Sequence, residues 1–68
     1  MNLKKIIADN APSGATGFTY EPDLSALSFW RWNDGVLESW SDDDNCWLTY
    51  ENAPSSYLDF MKSTIKPL

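Results

Sequence analysis

Histidine is missing from this chain altogether, and cysteine appears once, as Cys46. A single thiol excludes an intrachain disulfide. With no imidazole beside it, the usual zinc sites built from Cys and His cannot form either. The same absence removes the commonest general base, so a Ser or Cys nucleophile has no imidazole to activate it. Bases are scarce: five Lys and Arg stand against ten Asp and Glu, a formal charge of −5. Phosphate binding needs clustered Lys and Arg, which argues against nucleic acid as a direct ligand. No apolar run approaches ~18 residues, so no membrane span is expected. Residues 1–8 are short, basic and apolar, but Asp9 and Asn10 interrupt them, which reads against a signal peptide. One lone thiol fits a reducing compartment. The expectation is a soluble, cytoplasmic protein.

What the chain has is an aromatic and acidic middle. From Glu21 to Glu51 there are eight acids (Glu21, Asp23, Asp34, Glu38, Asp42, Asp43, Asp44, Glu51) and one base, Arg31. All four tryptophans, Trp30, Trp32, Trp40 and Trp47, fall in the same stretch. The flanks are slightly positive. A length of 68 residues makes one domain, and so short a chain needs a staple or an unusually dense core. Ten aromatics supply the core here, each able to bury roughly 150–250 Å². Self-association is the other support open to it.

Local signals define an α+β fold over residues 1–68. Residues 2–9 read as a short N-terminal helix, with Asn2 as cap and Leu3, Ile6 and Ile7 on one face. Pro12, Ser13 and Gly14 break it. Residues 17–21 alternate as a strand, with Phe18 and Tyr20 on one face, and Pro22 ends it. Residues 27–32 and 36–40 are strands joined by Asp34-Gly35, a pair that tolerates the positive φ angles of a tight hairpin. A two-residue loop there sets Arg31 opposite Glu38 and Phe29 opposite Trp40. A bulged turn would set Trp32 opposite Val36 instead. The charge pair favours the first register by ~0.2–1 kcal/mol. After a polar loop at 41–45, residues 46–50 form another strand. Ser56, three residues before Asp59, is placed to cap a final helix with Tyr57, Phe60, Met61 and Ile65 on one face. Lys62 and Lys66 lie near its C-terminus, and Pro67 stops it. The expected architecture is a three- to four-stranded antiparallel meander with the C-terminal helix packed on one face.

The segment Pro12, Gly14, Ala15, Thr16, Phe18 resembles a Pro-x-Gly-Ala-Thr-x-aromatic stretch carried by many small uncharacterised proteins of tailed phages and prophages. In that group short aromatic strands follow, with Trp near Asp-Gly or Asn-Gly turns. The matching pieces here are Trp30-Arg31-Trp32, the Asp34-Gly35 turn, Trp40 and Trp47. The resemblance covers residues 11–50 and leaves the final helix outside. The group often has histidine after the Thr; this chain has Gly17. The resemblance transfers no catalytic function. It implies a phage or prophage origin, where many small acidic chains bind and disable a host protein.

The candidate sites follow from these features. Asp42-Asp43-Asp44 reads either as a solvated loop that guards a sheet edge or as a contact patch for a basic groove. Asp34, Glu38 and Glu51 extend the patch if they share its face. A calcium site is the third reading, but the spacing lacks the alternating ligands, central glycine and terminal Glu of the twelve-residue loop. The tryptophans read first as core. Trp30 and Trp32 point to one sheet face, Phe29 and Trp40 to the other, and helices this few leave one set partly exposed. Trp40 and Trp47 beside carboxylates make an interface composition. Cys46 reads as a buried strand residue. A hydrolytic acid pair would need a pocket, and a chain of this size is expected to have little room for one of ~300 Å³. The expected function is therefore non-enzymatic and cofactor-free. It is an acidic phage protein that blocks a basic, nucleic-acid-binding site of a host protein in the host cytoplasm, in the manner of an anti-CRISPR or other anti-defence inhibitor. The alternative is a small phage accessory or structural protein that self-associates, as a homodimer for example, or binds virion proteins. The expected partner-binding residues are Asp34, Glu38, Asp42, Asp43, Asp44, Glu51, Trp40 and Trp47.

Overall fold

The computed structural model describes residues 3–68, with side chains from Lys5 onward. In chain order it contains α1 (Leu3–Asn10), β1 (Gly17–Glu21), a 3-10 turn (Pro22–Leu24), β2 (Ala26–Asn33), β3 (Val36–Ser41), β4 (Cys46–Thr49), α2 (Ser55–Thr64) and β5 (Lys66–Pro67). The expected cap Asn2 lies outside the described residues, as does the side chain of Leu3. The strands form one antiparallel sheet in the order β4-β3-β2-β1-β5. The α+β meander is thus as expected, with one more strand.

The hairpin between β2 and β3 sets the register of the sheet. Asp34 and Gly35 both adopt positive φ, 57° and 81°, the backbone of a type I′ turn whose twist matches the flanking strands. Asn33 pairs with Val36, Trp32 with Leu37, Arg31 with Glu38 and Trp30 with Ser39. The two-residue loop is realised, and the bulged alternative is not. Phe29 and Trp40 lie one step beyond the last paired residues.

Alternation along the strands then sorts side chains onto two faces. Trp30, Trp32, Leu37 and Ser39 share the face beneath α2. Leu37 is fully buried, and with Trp30 and Met61 it makes the core cluster. Trp32, Tyr50, Tyr57, Leu58 and Ile65 pack around it. The polar groups on this face are satisfied: Trp30 Nε1 donates to Thr19 Oγ1 at 2.9 Å, and the Ser39 and Tyr50 hydroxyls meet at 3.0 Å. The opposite face carries Phe29, which is buried, together with Arg31, Glu38, Trp40 and Trp47.

Four local expectations need correction. Ser56 is no cap: α2 starts at Ser55, Pro54 occupies the cap position, and no side chain bonds the helix N-terminus. Asp59 therefore falls outside the first turn. On α2, Phe60 is 61% exposed, while Leu58 takes the inward place beside Tyr57, Met61 and Ile65. At 100° per residue that stripe leaves Phe60 to one side. On α1, Ile7 is buried but Ile6 faces outward. Finally, Lys66 is not helical. Ile65 turns extended (φ −69°, ψ 127°), and Lys66 pairs with Phe18 while Pro67 pairs with Gly17. Gly17 permits that approach, since a Cβ there would collide with Ile65 Cγ2 and stand 3.0 Å from the Lys66 carbonyl oxygen. No helix among the described residues is long and apolar enough to cross a membrane.

Candidate functional site: an acidic, tryptophan-bearing sheet end

In an antiparallel meander, successive connections alternate between the two ends of the sheet. The β1–β2 connection therefore shares an end with the β3–β4 connection. The first carries Asp23, with Glu21 just before it as the last residue of β1, the second Asp42, Asp43 and Asp44, and all five are exposed. Neither connection contains a Lys or Arg. Asp34 in the β2–β3 turn and Glu51 after β4 are exposed too, but they lie at the other end. The eight acids thus do not form one patch. Glu21 and Asp23 belong with the aspartate run, although they are distant from it in sequence. The signal that finds them is the alternation of hairpin ends.

The β3–β4 loop is held by its own side chains. Trp40 Nε1 donates to Asp42 Oδ1 at 2.9 Å. Ser41 Oγ donates to Asp44 Oδ2 at 3.2 Å, and the Asp44 backbone N–H donates to Ser41 Oγ at 3.3 Å. Asn45 closes the loop in the left-handed region, at φ 54°. These bonds fix two of the three carboxylates against the sheet end. Each loses little further freedom on binding a cation, which lowers the entropic cost of recognition.

Trp40 and Trp47 sit next to that loop. They face each other across the β3–β4 ladder, one step in from the Ser41–Cys46 pair, with ring centroids 5.4 Å apart and an edge-to-face tilt of 67°. Both are half-buried. Arg31 reaches over Trp47, its guanidinium carbon 4.2 Å from the ring centroid. Trp47 thus already stacks on a cation of its own chain.

Glu38 is not part of the exposed acidic surface. It is only 7% exposed, and Arg31 Nε donates to its Oε1. Glu38 holds β2 to β3 and neutralises the one arginine of the stretch, so it is withdrawn as a partner-binding residue. Cys46 corrects in the other direction. It is exposed, because β4 is the outermost strand and α2 packs over Trp30 and Leu37, well inside that edge.

A cavity of about 430 Å³ lies at the other side of the sheet, lined by Ile7, Phe18, Thr19, Tyr20, Glu21, Thr64 and Lys66. The expectation that so short a chain has little room for a pocket of this size fails. It fails because β5 covers only Gly17 and Phe18 and leaves the rest of β1 open beside α1 and the end of α2. The lining is mostly apolar and includes one carboxylate, Glu21, and one ammonium, Lys66. That is not the two-carboxylate arrangement of a glycosidase. Among the described residues, no three acids or thiols converge as a metal site. No protein-family model matches this chain, and no curated protein or solved structure matches it either.

Proposed function

We propose that this chain is a non-enzymatic binding protein, encoded by a phage or prophage, that docks its acidic sheet end on a basic, nucleic-acid-binding site of a host protein. It acts in the host cytoplasm as an inhibitor of the anti-CRISPR or other anti-defence type. The observation that carries this reading is the gathering of Glu21, Asp23, Asp42, Asp43 and Asp44 at one end with no base among them, beside the half-buried Trp40–Trp47 pair. Carboxylates so placed occupy positions that phosphates would fill, and a one-sign patch steers a basic partner and speeds encounter. Trp40 and Trp47 at the rim supply apolar contact area, Trp47 with Arg31 of its own chain already stacked on it. The phage origin rests on the Pro12–Phe18 segment and the tryptophan-bearing strands.

The test is a pull-down from bacterial lysate with the tagged protein at low and at high salt, run beside the Asp42→Asn/Asp43→Asn/Asp44→Asn variant. Asparagine keeps an acceptor for Trp40 and Ser41, so the loop holds while the charge goes. The expected result is a salt-sensitive, nucleic-acid-binding host protein whose affinity falls in the variant and whose salt dependence flattens. Equal affinity of variant and parent refutes the acidic docking surface. A self-associated species or a virion protein in place of a host partner moves the assignment to an accessory or structural role.

A further inference from the structure

The two outer edges of the sheet are built differently. β5 is two residues long and consists of a lysine and a proline, the usual means of blocking an edge. β4 is an edge with no such guard: Cys-Trp-Leu-Thr contains no charge and no proline. Its hydrogen-bonding direction follows from the ladder. The Tyr50 N–H donates to the Leu37 carbonyl at 2.9 Å, so Tyr50, Leu48 and Cys46 turn their backbone groups toward β3. Trp47 and Thr49 then turn theirs outward, where the described residues offer no strand. Leu48, 45% exposed, stands on one side of this edge, and Trp47 on the other. Carboxylates flank it: Asp42, Asp43 and Asp44 before the strand, Glu51 after it.

Resting on the reading of this chain as a binder of a basic protein surface, we infer that β4 takes up an added strand from its partner. That strand is an extended segment, apolar or β-branched across about four residues, with Lys or Arg at both ends. Backbone bonds to Trp47 and Thr49 supply the attachment, as in other cases of strand addition. The flanking acids choose the sequence. They also exclude a second copy of this chain. An antiparallel β4–β4 pair that uses the outward groups of Trp47 and Thr49 brings Glu51 of each copy to the aspartate-rich loop of the other. Like charges then face each other twice, in a chain that already carries −5. The acidic run thus guards the edge against its own kind and leaves it open to a cationic strand.

The experiment uses the full chain and a blocked synthetic peptide of four alternating valines and threonines between two lysine pairs. A second peptide is N-methylated on the residues that would face Trp47 and Thr49. A Thr49→Pro variant removes one outward N–H that the fold does not use, and an edge strand tolerates proline there. Binding is read by tryptophan fluorescence and by amide hydrogen exchange. The proposal expects slowed exchange at Trp47 and Thr49, and a loss of about tenfold in affinity on N-methylation and in Thr49→Pro, as for one or two lost backbone bonds. Equal binding of both peptides overturns it, and so does slowed exchange confined to other strands. No binding at millimolar peptide overturns it too. A peptide-free dimer that Thr49→Pro abolishes also overturns it, by making the occupant a second copy. If the aspartate variant loses the host partner while Thr49→Pro keeps it, strand addition fails and acidic docking stands. The N-methylated peptide decides the matter even if Thr49→Pro fails to fold.

Discussion

Arg31→Ala should destabilise this protein more than any surface substitution, and by an amount that can be worked from its surroundings. The side chains of Arg31 and Glu38 are 28% and 9% exposed, and the two are bonded through Arg31 Nε. Removing one member of a buried pair typically costs about 3–5 kcal/mol, because the other charge is left without compensation. Arg31 is partly solvated, so water can enter as the guanidinium leaves, and the cost falls to about 2–3 kcal/mol. Loss of its stacking on Trp47 adds about 0.5–1 kcal/mol. A 68-residue domain has roughly 3–10 kcal/mol in total, so the variant is expected to lose a quarter or more of its stability. Glu38→Gln should cost only about 1 kcal/mol, since the amide oxygen still accepts from Arg31 and the arginine keeps its water. The double variant Arg31→Met/Glu38→Leu removes both charges at similar volume and should return to within about 1 kcal/mol of the parent. Urea titration by tryptophan fluorescence and far-UV circular dichroism, compared at constant m-value, measures all three. A cost below about 1 kcal/mol for Arg31→Ala would show that the pair is not effectively buried. A double variant no better than the arginine single would refute the argument from an uncompensated charge.

Further substitutions separate core from surface. Leu37→Ala, at a fully buried side chain, should cost about 2–5 kcal/mol, while Phe60→Ala on the exposed side of α2 should stay within about 0.5 kcal/mol; thermal unfolding of both checks this. Gly17→Ala should cost about 1–3 kcal/mol by pushing Ile65 and Lys66 away, and hydrogen exchange should show β5 released before the other strands.

The sheet was legible where a local rule and a pairing rule agreed. Asp34-Gly35 specified the turn, and Arg31 with Glu38 specified the register, so the strand pairs followed from neighbours in sequence. The end of the chain was not legible. Lys66-Pro67 has no strand propensity of its own, and it pairs with β1 only because α2 delivers it beside Gly17, which has no side chain to obstruct it. The candidate site divides in the same way. Asp42, Asp43, Asp44, Trp40 and Trp47 were read correctly as neighbours because one loop and one ladder hold them. Glu38 was misplaced, since its type and position gave no sign that it would be buried. Cys46 was misplaced because burial depends on which strand becomes the edge. Glu21 and Asp23 were overlooked because their kinship with the aspartate run passes through two strands rather than along the chain.

By itself, then, the amino-acid sequence determined four of the five strands, the central hairpin and its register, because turn chemistry and side-chain alternation act over a few residues. It also determined the sign of the field, because charge is a sum that folding does not change. Only the tertiary structure decided which strands became edges, which carboxylate was neutralised and which five gathered at one end. Those outcomes depend on where α2 packs and on how successive hairpins alternate, and no short stretch of chain encodes either.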